Sequence, residues 1–244
     1  MKVFEIFYLI VEPFFPALYK QVRIRLRKLT RISTRQLKIL DVGGRKSHYT
    51  IGLPAEIIIS DLPKESDIQK RLNLGINESI INQTLRRRSN IKEIILDDMV
   101  NSKLPDDEFD GVIAIEVIEH IEEDENFLDN IYRVLKPEGF LLLTTPNGDS
   151  IVNTNPDHKR HYLKKQLEKI LNKKFEINEL IYIVKNTKSR KIGLYSWSLK
   201  NPVKTIRSMY SNIISRSESN KTGLELNPDR TSNILALVYK PKGF

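Results

Sequence analysis

Carboxylates recur at the ends of short apolar runs in this chain. Asp41 stands near the end of Leu37–Val42, just before Gly43-Gly44, and Asp61 closes Ala55–Asp61. Asp97 and Asp98 follow Ile91–Leu96, and Glu116 follows Phe109–Ile115. Acids set along one edge can accept hydrogen bonds from ribose hydroxyls, an adenine amino group and an amino-acid ammonium. They repel a pyrophosphate, and with no G-x-G-x-x-G turn in the chain this argues against a dinucleotide ligand. A second group, Glu116, Glu119 and His120, has i, i+3, i+4 spacing, which on a helix puts all three on one face. Two carboxylates and an imidazole make a mixed set able to hold Mg²⁺, Mn²⁺ or Zn²⁺. The segment Pro156–Tyr162 adds His158 and His161, either of which is a candidate fourth ligand. A histidine near neutral pH also suits general-base work on a hydroxyl, and His120 and His161 are the candidates. Each residue has a plainer reading beside this one. Asp41 can form a turn or cap a helix, Asp61 before Leu62-Pro63 can simply end a strand, and His158 and His161 can be surface hydrogen-bonding groups.

For these residues to meet, the runs that carry them must lie side by side. The runs are nearly continuous Ile, Leu and Val, as expected of strands buried on both faces in a parallel sheet covered by helices. Right-handed crossovers then bring the C-terminal ends of the strands to one edge, where ligands bind. A fifth run, Phe140–Thr145, ends at Pro146-Asn147-Gly148. Before it, Phe127, Leu128, Ile131, Val134 and Leu135 recur at helical spacing up to Lys136-Pro137-Glu138-Gly139, where proline stops the helix. Further helices are expected around 66–74, 78–87 and 163–171, and strands at 175–184 and 234–239. The stretch 185–231 is basic with little periodicity, which reads as a lid or a mobile insertion.

The segments LKILDVGG, EIIISDLP and LPDDEFDGVIAIEVIEHIEEDENFLDNIYRVLKPEGFLLLTTPNG resemble the class I S-adenosylmethionine-dependent methyltransferases. FD, EVIEHI, RVLKPEG and TPNG stand in the order and spacing of that family's middle strands. PDHKRHYLKKQLEKIL and ILALVYKPK are similar to its next segment and its last strand. The resemblance implies an α/β fold with a Rossmann-like doubly wound sheet, mostly parallel with an antiparallel last strand, after a helical N-terminal extension. It also implies S-adenosylmethionine as cofactor. Carried over residue by residue, Asp41, Gly43 and Gly44 would line its methionine part. Asp61, with Leu62 beside it, would accept both ribose hydroxyls. Asp98, with Asp97 as the alternative, would meet the adenine amino group, with Met99 against the ring, and Glu116 would lie beside the amino-acid end. The Glu116–Glu119–His120 set is similar to the metal site of ubiquinone-pathway O-methyltransferases and small-RNA 2′-O-methyltransferases, although the Glu-His pair also occurs in members without metal. The chain departs from the family at the turn. In DVGGRKSHY, Arg45, Lys46 and Ser47 stand where further spaced glycines are usual. Their charge could hold the cofactor carboxylate or a substrate phosphate; the alternative is that cofactor binding has been lost.

These residues divide the 244-residue chain into four parts: a basic helical cap (1–36), a cofactor-binding core (37–184), a basic insertion or lid (185–231) and a last strand with its tail (232–244). Net charge follows the same division, with +6 over 1–36, −9 over 37–149 and +12 over 150–244. A basic rim attracts phosphorylated or nucleic-acid substrates, although a codon bias toward lysine gives the same composition. The chain has no cysteine, which excludes disulfides, thiolate zinc sites and cysteine nucleophiles and is compatible with a cytoplasmic location. The apolar run Phe4–Val11 is far shorter than the roughly 20 residues of a membrane span, and no cleavage site follows it. With the basic stretch Lys20–Arg35 behind it, this segment reads as a cap on the cofactor pocket or as a peripheral contact with an anionic membrane. The function expected is methyl transfer to a hydroxyl of a small molecule, a sugar or a lipid-linked glycan. The alternatives are an RNA methyltransferase, and a degenerate methyltransferase fold used as a scaffold.

Overall fold

A computed structural model describes residues 1–63, 75–220 and 227–243. Seven strands form one sheet: β1 (Leu37–Val42), β2 (Ala55–Asp61), β3 (Ile91–Leu96), β4 (Phe109–Ile115), β5 (Leu135–Pro146), β6 (Glu176–Lys185) and β7 (Thr231–Tyr239). Their order is β3-β2-β1-β4-β5-β7-β6. The pairs from β3 through to β5 are parallel, and β7 runs antiparallel to both β5 and β6. This is the Rossmann-like doubly wound sheet with an antiparallel last strand expected from the sequence.

Alternation along the strands explains why the runs are apolar throughout. Leu40, Val112, Leu141 and Leu143 feed one core, while Ile39, Ile113 and Leu142 feed the other. Side chains of a strand point alternately to the two faces, so a sheet with two cores needs apolar residues at every position. The first core is closed by α4 (Asp124–Val134), through Phe127, Leu128, Ile131 and Val134, and by α5 (Lys164–Leu171), through Leu167 and Leu171. The second is covered by α2 (Ala17–Ile32), whose Val22, Leu26 and Leu29 are buried against the sheet. Ahead of α2 lie α1 (Val3–Val11) and a 3-10 turn, Glu12–Phe14. The helix α3 (Glu78–Arg87) is capped by Asn77, whose side chain accepts from the Ile80 amide. The helix expected at 66–74 lies outside the described residues.

One expectation is corrected. The helix expected to include Leu135 and end at Lys136-Pro137 stops at Val134, and β5 begins at Leu135. The basic stretch 185–231, read from the sequence as a lid or a mobile insertion, contains α6 (Lys188–Gly193) and α7 (Pro202–Ser219). The inward side of α7 is Ser208, Ser211, Asn212, Ser215 and Ser219, so its apolar residues do not mark its buried face. Hydrogen bonds hold the hairpin instead. The Gly193 carbonyl accepts from both Ser208 Oγ and Asn212 Nδ2 at 2.9 Å. A Cβ at Gly193 would come within 2.0 Å of the Asn212 amide oxygen, so only glycine fits there.

Candidate functional site

The chain runs outward from β1 to β3 on one side and from β4 on the other, leaving a crevice beyond the C-terminal ends of β1 and β4. A cavity of about 280 Å³ occupies it. Val42 and Gly43 form its floor, Asp61, Leu62, Asp97, Asp98 and Met99 one wall, and Glu116, Val117 and His120 the other. Arg45 and Lys46 line it as well.

Gly43 adopts φ +66°, a left-handed conformation that glycine takes without penalty, and its amide donates to the Ser60 carbonyl at 2.8 Å. Gly44 approaches closely from the other side: a Cβ there would lie 2.4 Å from Asp41 Cγ. Asp41 is fully buried beneath this turn and is not among the residues lining the cavity; one of its oxygens accepts from the Tyr49 hydroxyl at 3.1 Å. Burial pushes its pKa up to about 6, against the hydrogen-bonding hydroxyls of Ser47 and Tyr49. Asp41 therefore shapes the turn from below.

Asp61 lines the cavity at the end of β2. Its Oδ1 accepts from the Leu62 amide at 2.9 Å, and burial holds its pKa above the ordinary value. Asp97 accepts from the Lys103 amide through Oδ1, while its Oδ2 is buried with no hydrogen-bond partner among the described residues. Asp98 caps the short turn Met99–Asn101, accepting from the Val100 amide at 3.0 Å, and Met99 is buried at the cavity wall.

The helix expected to carry Glu116, Glu119 and His120 on one face is absent. Glu116 has φ +56° and is followed by a single 3-10 turn, Ile118–His120. With the helix broken there, Glu116 is not part of the group of ligating atoms that Glu119 and His120 form. Its oxygens accept from Thr144 Oγ1 at 2.9 Å and Asn233 Nδ2 at 3.0 Å, and burial raises its pKa. Nothing in the sequence marked Thr144, Asn233 or Arg190 as partners of this acid. The Arg190 guanidinium on α6 favours the charged carboxylate and so brings the hairpin electrostatically to the site.

Glu119, His120 and His158 meet instead, each offering one ligating atom within 4.8 Å of the others. Glu119 is fully buried, and neither carboxylate oxygen has a hydrogen-bond partner among the described residues. Burial, then the nearby Glu116 carboxylate, pushes its pKa well up. His120 Nδ1 lies 3.0 Å from the Asp157 carbonyl. A carbonyl only accepts, so Nδ1 carries the proton and Nε2 of the neutral ring is a bare lone pair. His161 Nδ1 likewise donates to the Ile151 carbonyl, and its Nε2 accepts from His158 Nδ1 at 2.8 Å. This relay leaves His158 Nε2 bare as well. Burial and the two neighbouring imidazoles pull the His158 pKa down to about 4, which keeps that ring neutral. Of the three histidines only His120 lines the cavity; His158 and His161 do not.

Residues 56–143 match the family described as "Methyltransferase domain". The bovine mitochondrial ubiquinone biosynthesis O-methyltransferase is 31% identical over 113 residues, which is 46% of this chain and 29% of that protein. The sterol 24-C-methyltransferase of Aspergillus fumigatus is 30% identical over 156 residues, 62% of this chain and 39% of that one. This chain thus spans well under half the length of either relative. Among solved structures, a SAM-dependent methyltransferase from Archaeoglobus fulgidus superposes with a TM-score of 0.56 at 18% identity, over 91% of this chain and 94% of that one. Residues 56–143 thus match a methyltransferase domain, and the chain as a whole shares the fold of that solved methyltransferase.

Proposed function

We propose that this chain transfers the methyl group of S-adenosylmethionine to a hydroxyl of a small molecule, a sugar or a lipid-linked glycan. The observation that carries the reading is the pairing, in one cavity, of an acid-lined wall with a histidine whose free nitrogen is fixed by its backbone partner. The residues suit the cofactor. Gly43 lets backbone come close to the methionine end, Asp61 can take the ribose hydroxyls, and the unpartnered Asp97 oxygen or its neighbour Asp98 can take the adenine amino group against Met99. Glu116 keeps further lone pairs for the amino-acid ammonium. When bound, S-adenosylmethionine supplies a methyl group already activated on a sulfonium. The chain's task is then to position the acceptor oxygen and to take up its proton. His120 Nε2 is the proton acceptor, and the Asp157 carbonyl holds the ring in that tautomer.

A divalent ion is a second occupant of the same corner. The observation favouring it is the Glu119 carboxylate, buried and unpartnered beside two imidazoles with bare Nε2. Mg²⁺ or Mn²⁺ held there would orient the acceptor hydroxyl in place of a proton-accepting His120.

Calorimetric titration with S-adenosylhomocysteine, with and without Mg²⁺ or Mn²⁺, tests both readings. Saturable binding supports the first, and tighter binding with metal supports the second. No heat under any condition removes the enzyme reading and leaves a scaffold.

A further inference from the structure

Two helices of this chain are built inside out. On α7 the buried side is serine and asparagine, and the exposed side carries Val203, Ile206, Tyr210 and Ile213 at i, i+3, i+7 and i+10, with Val203 76% and Ile206 65% exposed. On α1 the one fully buried residue is Glu5, whose carboxylate accepts from the Ser89 amide and hydroxyl and from the Lys2 amide. The exposed residues there are Val3, Ile6, Phe7 and Ile10, with Val3 at 85%. The two helices belong to one region. The turn after α1 packs on α7, where the Glu12 carbonyl accepts from Arg216, and Phe15 stacks on Trp197 with ring centroids 5.5 Å apart. Between α6 and α7 the chain presents Leu194, Tyr195 and a fully exposed Leu199.

We propose that this surface docks on an anionic lipid bilayer. An exposed apolar stripe of this size on a water-soluble fold marks an interaction site, and charge selects the occupant. Residues 186–219 contain seven basic side chains and one acidic one, Glu218, which accepts from Thr187. Lys200, Lys204 and Arg207 flank the apolar residues, and Lys204 lies over the Tyr195 ring at 4.8 Å. Apolar residues bordered by lysine and arginine match the boundary of an anionic headgroup layer, where the apolar part inserts and the cations meet lipid phosphate. A second copy would bring cation against cation. No helix among the described residues is long and apolar enough to cross a membrane, so the contact lies in the interfacial plane.

The test is flotation of the full chain with vesicles of phosphatidylcholine alone and of equal parts phosphatidylcholine and phosphatidylglycerol. Binding is expected to be at least about tenfold stronger to the mixed vesicles. Leu199→Ser/Ile206→Ser/Tyr210→Ser and Lys200→Glu/Lys204→Glu/Arg207→Glu should each lower it about tenfold or more. Unchanged circular dichroism and melting temperature show that both variants are folded. Equal binding to the two vesicle types, or full binding by the folded apolar variant, overturns the proposal. So does a stable dimer by light scattering that the apolar variant dissociates, because the stripe would then be a protein interface.

Discussion

The sheet and the α6–α7 hairpin follow opposite rules of burial. In the sheet, apolar side chains fill two cores and polar groups gather at the strand ends. In the hairpin, serine and asparagine are inside, held by named hydrogen bonds, while valine, isoleucine and tyrosine face outward. The sheet is stabilised by area removed from water, a non-directional force that tolerates many sequences. The hairpin depends on directional bonds at a few atoms, so its sequence is less free inside and its outer face is available for another purpose.

Substitutions in each region should separate the two rules. Leu142→Ala, in the second core, should lower unfolding free energy by about 2–5 kcal/mol in urea titrations. Asp41→Asn probes the buried acid under the turn. Its folded pKa of about 6 lies above the unfolded value, so the protonated form is favoured by folding and wild-type stability falls as pH rises from about 4 to 6. The asparagine variant should lack this component and should be more stable than wild type above pH 6, by about 2–3 kcal/mol in paired melts. Matching profiles for the two proteins would mean that Asp41 titrates normally. Asp61→Ala should weaken S-adenosylhomocysteine binding by about ten- to a hundredfold in calorimetry with little change in melting temperature. Unchanged affinity would place the ribose elsewhere. Ile206→Ser, on the outer stripe of α7, should change stability by no more than about 0.5 kcal/mol. A loss comparable to that of Leu142→Ala would show that the hairpin obeys the rule of the sheet after all.

The same contrast explains what could be read from sequence. Strands β1 to β5 announce themselves because two buried faces demand unbroken apolar runs, and the row of acids follows from where those runs end. In α7 the apolar residues recur at helical spacing but face outward, so the rule that an apolar stripe marks the buried face misreads it. The spacing of Glu116, Glu119 and His120 pointed to a helical face, but a single left-handed residue breaks it, and spacing does not report the sign of φ. His158 became the third member of that cluster through a hydrogen bond from the Lys159 amide to the Glu119 carbonyl, a tertiary contact 40 positions apart with no local signature. Thr144 reaches Glu116 because β5 lies beside β4, and Asn233 reaches it because β7 lies against β5.

The position of β7 has a consequence for biosynthesis. It is made after every other strand, yet it is inserted between β5 and β6 rather than added at an edge. Until it arrives, the outer side of β5 has unpaired amides and carbonyls, and β6 has no place in the sheet. Vectorial synthesis therefore leaves the sheet unfinished, with an unpaired β5 edge, until β7 has been made. A ribosome that stalls before Thr231 releases a chain that cannot close its own fold.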